Sequence, residues 1–174
     1  MKQKIFRWFF YILGLLLLAT GLTLNTKTDL GTSAIISVPF SISQIWDLNF
    51  ANTTYGAYVV FVTIQVIICR ITAKKYDRAQ NRVRLLQAVL QLPFSLLFTR
   101  VMNLISVTVP VLREGFPDSF LGSFAGRVTV LLIAVTLAGT GTAMSLNMRL
   151  VPNPGDGIVR ALAEVSGKTV GFTK

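Results

Sequence analysis

Two ten-residue stretches decide how this chain is built: LGTSAIISVP at residues 30–39 and LVPNPGDGIV at residues 150–159. Each follows a long uncharged run, Trp8 to Thr26 before the first and Val128 to Met148 before the second. A shift of 120 positions carries Arg7 onto Arg127, Gly14 onto Ala134, Leu17 onto Leu137, Thr20-Gly21 onto Thr140-Gly141 and Leu30 onto Leu150. Apolar runs match by chance, so the polar part matters more. There Ser33 falls on Asn153, and both residue types cap helix starts; Pro154 suits a first helical turn, and Asp156 favours the positive end of the helix dipole. Further on, a five-residue change of register sets Asn52-Thr53-Thr54-Tyr55-Gly56 against Gly167-Lys168-Thr169-Val170-Gly171.

The surroundings of these stretches are those of a membrane protein. Of 174 residues 52% are apolar and 14% charged, the wrong balance for a soluble domain. A helix needs about 20 apolar residues to cross roughly 30 Å of hydrocarbon. Trp8–Thr26, Leu48–Cys69 and Val128–Met148 meet that demand, and Leu85–Ile105 meets it despite Gln87, Gln91, Arg100 and Asn103. Leu30–Trp46 is uncharged over 17 residues, at the lower limit, with Pro39 in its middle.

Charge settles that last run. Cytoplasmic loops collect Lys and Arg. If Leu30–Trp46 does not cross, Lys2, Lys4, Arg7, Arg70, Lys74, Lys75, Arg78, Arg82, Arg84, Arg149, Arg160, Lys168 and Lys174 share one side, against Lys27, Arg113 and Arg127 on the other. A crossing would place the Arg70 to Arg84 cluster opposite the basic amino end. The run is therefore expected to be re-entrant or interfacial, with the N-terminus cytoplasmic. The net charge of +10 then reads as topology, because the cations are split over loops and lack an aromatic-lined groove for nucleic acid. Ala19-Thr20-Gly21 is a poor cleavage site, so the first run reads as a span and not a signal peptide.

Three spans separate the two motifs, and an odd number inverts the second. The expected fold is all-α: a polytopic bundle of four transmembrane helices plus two re-entrant or interfacial short helices, forming part of an inverted repeat. The single membrane domain, 1–174, divides into a first three-span repeat at 1–105 and an incomplete second at 127–174. On this pattern the second copy lacks two spans. The bilayer is the first partner; a second copy, or another chain completing the bundle, is the next.

The polar groups expected to line a solute pathway are Ser33, Gln87, Gln91, Ser95, Thr99, Arg100, Asn103, Asn153 and Asp156. In the third span Gln87, Gln91, Ser95, Thr99 and Asn103 recur every fourth residue, a slowly drifting stripe that either bonds neighbouring helices or walls a pathway beside Pro93. Arg100 either snorkels to the outer headgroups or holds an anion, with Asp29 or Asp118 as an alternative partner. Asp156 either serves a helix start or binds a cation or proton. Ala134, Ala138 and Thr142, with Gly139 and Ala143, suit close helix packing. Cys69 reads as a small packing residue. No histidine is present, and no nucleophile with its base can be assembled, so neither an enzyme nor a cofactor or metal site is expected.

PNPGDGIVRALAEVSGKTVG in the second copy, SAIISVPFSIS followed by NTTYG in the first, and LLQAVLQLPFSLLFTRVMNLI between them resemble the YczE/YyaS/YitT-type bacterial integral membrane proteins. Pro154 to Gly157 is the most specific part, and Ala34 and Asn103 depart from the pattern. The resemblance implies an inner-membrane, multi-pass protein of about six spans without an assigned activity. The function expected is transporter-like movement of a small polar or anionic solute; the alternative is a non-transporting membrane subunit or assembly partner.

Overall fold

At 1.5 Å per residue, crossing roughly 30 Å takes about 20 helical residues. The computed structural model describes residues 2–148 and 150–173, with side chains from residue 5 onward; Arg149, Lys174 and the side chains of Lys2 and Lys4, all counted in the charge argument, fall outside that description. The described residues are helical, with no strand. The helices are α1 (Lys2–Lys27), α2 (Ala34–Ile45), α3 (Phe50–Ile71), α4 (Arg78–Thr108), α5 (Leu112–Gly115), α6 (Phe124–Asn147), α7 (Pro154–Ser166) and α8 (Val170–Thr173), with 3-10 turns at Thr72–Lys75 and Phe120–Gly122. Four of them, α1, α3, α4 and α6, are long and apolar enough to cross a membrane. At 12 residues, or about 18 Å, α2 is too short to do so. Helix α4 starts at Arg78, ahead of the apolar part at Leu85, because Arg78, Ala79, Gln80 and Arg82 are good helix formers and no Gly or Pro interrupts them.

Close packing divides the chain into two units: Met1–Thr54 with Leu97–Arg149, and Tyr55–Leu96 with Leu150–Lys174. In the first, α1 and α6 run antiparallel and meet backbone to backbone. A Cβ built on Gly21 would come within 2.5 Å of Ala138 N and 2.6 Å of Ala134 O; one on Gly141 would come within 2.5 Å of Leu18 N and 2.6 Å of Gly14 O. The packing face is thus Ala134, Ala138, Gly141 and Ser145. Spacing by four also predicts Thr142 and Gly139 on it, but a 3.6-residue period needs a step of three after a step of four, and Gly139 faces open space. The ends of the pair are tied by side chain to main chain: Arg7 Nη2 donates to Met148 O at 2.6 Å, and Arg127 Nη1 donates to Thr28 O at 3.4 Å. Arg127 and Arg113 each approach Asp29 at 3.6 Å. Asp29 therefore has partners other than Arg100, whose side chain is exposed.

In the second unit α7 packs its apolar face, Ile158, Val159, Ala161 and Ala163, inward. Asn153 opens this helix, its side chain accepting from Gly155 N at 3.0 Å, and Pro154 occupies the first turn. Gly167 ends it in the left-handed conformation, φ 67°.

Local geometry repeats at the 120-residue shift. Ser33 and Asn153 have φ/ψ of −62/141° and −61/142°, although Ser33 makes no side-chain cap, so only half of the expected capping pair is realised. After α2 Leu48 N bonds Ser43 O at 2.9 Å; after α7 Lys168 N bonds Ala163 O at 3.1 Å. Asp47 and Gly167 both take positive φ. Thr53 Oγ1 donates to Asn49 O, as Thr173 Oγ1 does to Thr169 O. These matches keep a spacing of 120 residues, where the identities at Thr54 and Gly56 suggest a five-residue change. Backbone reversal sets this register, and Asp is among the few non-glycine residues that reach positive φ readily enough to stand in for Gly167.

Candidate functional site: a polar cavity beside helix α7

Polar side chains inside an apolar bundle must find partners, because the hydrocarbon offers none. In the second unit they find each other around a cavity of about 140 Å³ lined by segments of α3, α4 and α7. Its floor is an amide pair: Gln65 Nε2 donates to Gln91 Oε1 at 3.1 Å and Gln91 Nε2 donates to Gln65 Oε1 at 2.9 Å. Gln65 also donates to Pro154 O at 3.3 Å, and Gln87 donates to Leu150 O at 3.3 Å. These bonds join α3 and α4 to the start of α7. Gly157 is required beneath them, since a Cβ there would lie 2.5 Å from Gln65 Oε1 and 2.9 Å from Gln91 Nε2.

The mouth carries the charge. Arg84 of α4 pairs with Glu164 of α7, each side chain about a fifth exposed. The Arg84 guanidinium also lies 4.0 Å above the Tyr76 ring, and its Nη1 reaches Thr72 Oγ1 at 3.5 Å. The neighbouring Glu164 carboxylate, as acceptor for its proton, raises the Tyr76 phenol above its ordinary pKa, with desolvation and the carboxylate's charge adding to the shift and Arg84 opposing it. Arg160, one turn before Glu164, also lines the cavity, as does Cys69.

Of the residues expected along a pathway, Gln87 and Gln91 line this cavity. Asn153 caps α7 and bonds the buried Tyr58 hydroxyl, and Asp156 sits in the first turn of α7, near enough for its charge to act on Tyr58. Ser95 is buried and donates to Leu92 O of its own helix at 2.9 Å. Ser33, Thr99, Arg100 and Asn103 belong to the first unit and do not line the cavity. There Thr99 is buried, and Asn103 Oδ1 accepts from Asn49 Nδ2 at 2.7 Å. Gln65, Arg84, Arg160 and Glu164 line the cavity without being among the residues that sequence reasoning selects. The one signal for Gln65 is a lone amide in AYVVFVTIQVIIC; the arginines are hidden by their share in the topological charge.

A family model described as "Family of unknown function (DUF6198)" matches residues 5–174. The chain belongs to that family. No curated protein and no solved structure matches it. The DUF6198 match covers both units and every residue of the cavity. Four helices able to cross a membrane make this DUF6198 member's architecture consistent with a multi-pass membrane protein.

Proposed function

We propose that this protein is a transporter-like component of the inner membrane, with its N-terminus in the cytoplasm, moving a small polar or anionic solute by alternating access. The observation that carries the reading is the reciprocity of the α1/α6 seam. Gly21 meets Ala134 and Ala138 just as Gly141 meets Gly14 and Leu18, and Arg7 meets Met148 as Arg127 meets Thr28. Each contact maps onto its partner at the 120-residue shift. Self-complementary pairing of this kind is the mark of a two-fold axis. Between antiparallel helices that cross a bilayer, such an axis lies in the membrane plane, the relation found in inverted-repeat secondary transporters.

The resemblance to YczE/YyaS/YitT-type proteins agrees with this reading, and the buried amides and ion pair supply polar groups of the sort that mark solute pathways in membranes. The reading includes no catalytic step and no cofactor, in keeping with a chain that has no histidine. Purified protein reconstituted in liposomes and offered radiolabelled metabolites should accumulate at least one small polar or anionic solute above protein-free controls. Retention of no solute, together with co-purification of a fixed membrane partner, would favour the non-transporting subunit instead.

A further inference from the structure

The cavity beside α7 holds two cations and one anion. Glu164 is committed to Arg84 by their ion pair. Among the described residues no carboxylate lies within ion-pair distance of Arg160. Asp156, one turn before Arg160 on the same helix, does not line the cavity, and its charge acts on Tyr58. One positive charge is therefore left over at the cavity wall.

The remaining polar groups limit what that charge can hold. The amides of Gln65 and Gln91 bond one another, and Gln87 donates to Leu150 O. A volume near 140 Å³ lies below the roughly 300–1,000 Å³ of pockets that hold drug-sized ligands, which favours a small solute. Ala88, Ala161 and Pro152 give the rest of the wall an apolar surface. A guanidinium binds planar oxyanions through two parallel hydrogen bonds.

We propose that this cavity binds a small monoanion of the short-chain carboxylate class, with Arg160 as the group that pairs with its carboxylate and the Arg84–Glu164 pair fixing the site's net charge. The inference deepens the transport reading by naming the solute class, and binding at the site stands or falls separately from transport. A dianion would leave one charge unmatched by the cavity's own surplus of one cation, and a cation would be repelled.

The test is calorimetric titration of the purified full chain in lipid nanodiscs with acetate, its uncharged isostere acetamide, succinate and methylammonium. Acetate should bind at millimolar concentration, and the other three should not. Arg160→Gln should weaken acetate about tenfold or more, and Arg160→Lys, which keeps the charge but loses the two parallel bonds, should weaken it less than Arg160→Gln does. Arg160 is exposed on its helix, so both variants should fold, and unchanged unfolding without ligand checks that. Glu164→Gln should extend binding to succinate, a change of charge preference that lost packing would not produce. Equal binding of acetate and acetamide, or acetate binding by Arg160→Gln as strong as by the unaltered protein, overturns the proposal. Acetate binding without any solute uptake would leave the site standing and remove the transport reading.

Discussion

The α1/α6 seam and the cavity beside α7 specify helix contacts in opposite ways. At the seam the helix middles meet through small residues that bring backbone against backbone, and shape sets the register there. Around the cavity, contact is made by long polar side chains that reach across a gap, and hydrogen-bond partners set the register. In lipid, apolar surface gives helices no reason to prefer each other over the acyl chains, so one or other of these means is needed. A seam of the first kind is intolerant of added atoms. A cluster of the second kind is intolerant of a lost partner.

Gly21→Ala should show the largest effect. The new methyl would fall on Ala138 N and Ala134 O, backbone atoms that cannot turn aside, so the helices must separate along their length. Overpacking of this sort costs about 1–3 kcal/mol, and this site belongs at the upper end. Gly139→Ala, in the same helix as Gly141 but facing open space, should be neutral or mildly stabilising through helix propensity. Denaturant unfolding of both variants in detergent measures the difference. Similar losses in the two would mean that glycine content, and not the close approach, matters in these helices.

Next comes the amide pair. Gln65→Leu takes the partners of both the Oε1 and the Nε2 of the buried Gln91, at a cost of about 1–3 kcal/mol. Removing both amides, as Gln65→Leu with Gln91→Leu, should recover much of that loss, because no orphan remains. A double-mutant cycle should therefore give a coupling between them of about 1 kcal/mol, near the range for membrane hydrogen bonds. Additive losses would break the contrast with the seam, since they would show the glutamines acting as mere filling.

Gly157→Ala joins the two cases. Its methyl would meet the ends of two side chains, which can move, so the loss should be smaller than for Gly21→Ala, about 1 kcal/mol. Shortening the obstacle by Gln65→Ala in the Gly157→Ala background should then cost less than the sum of the two changes. A loss as large as that at Gly21 would indicate that the amide pair is held as rigidly as backbone.

Much of this architecture is legible in the sequence, and the places where it is not have physical causes. Long uncharged runs identify the four crossing helices, because hydrocarbon thickness leaves little freedom of length or composition. The short α2 follows from charge balance. The seam is legible as a class of residue but comes out one step off, since spacing by four drifts off a 3.6-residue face. At Thr54 and Gly56 sequence identities suggest one pairing with residues 167–171, whereas the positive-φ turns at Asp47 and Gly167 match at a different spacing. Gln87 and Gln91 stand out by their stripe. Arg84 and Glu164 do not, because a pair 80 positions apart has no local signature.

The smallest effect expected concerns Tyr76, at the mouth of the cavity. Its hydrogen bond to Glu164 favours the protonated phenol in the folded protein, so the folded pKa lies above that of the unfolded chain, about 10. The folded state then holds this proton at pH values where the unfolded state has released it. The resulting stabilisation is fully present below about pH 10 and is lost as pH rises through the folded pKa. Tyr76→Phe removes the titrating group, and its stability should therefore decline less steeply on the alkaline side than that of the unaltered protein. Unfolding midpoints measured for both proteins from about pH 8 to pH 11 decide the matter. Parallel curves would mean that the Tyr76 hydroxyl and Glu164 do not interact in the folded chain, and that the polar cluster ends at the Arg84–Glu164 pair.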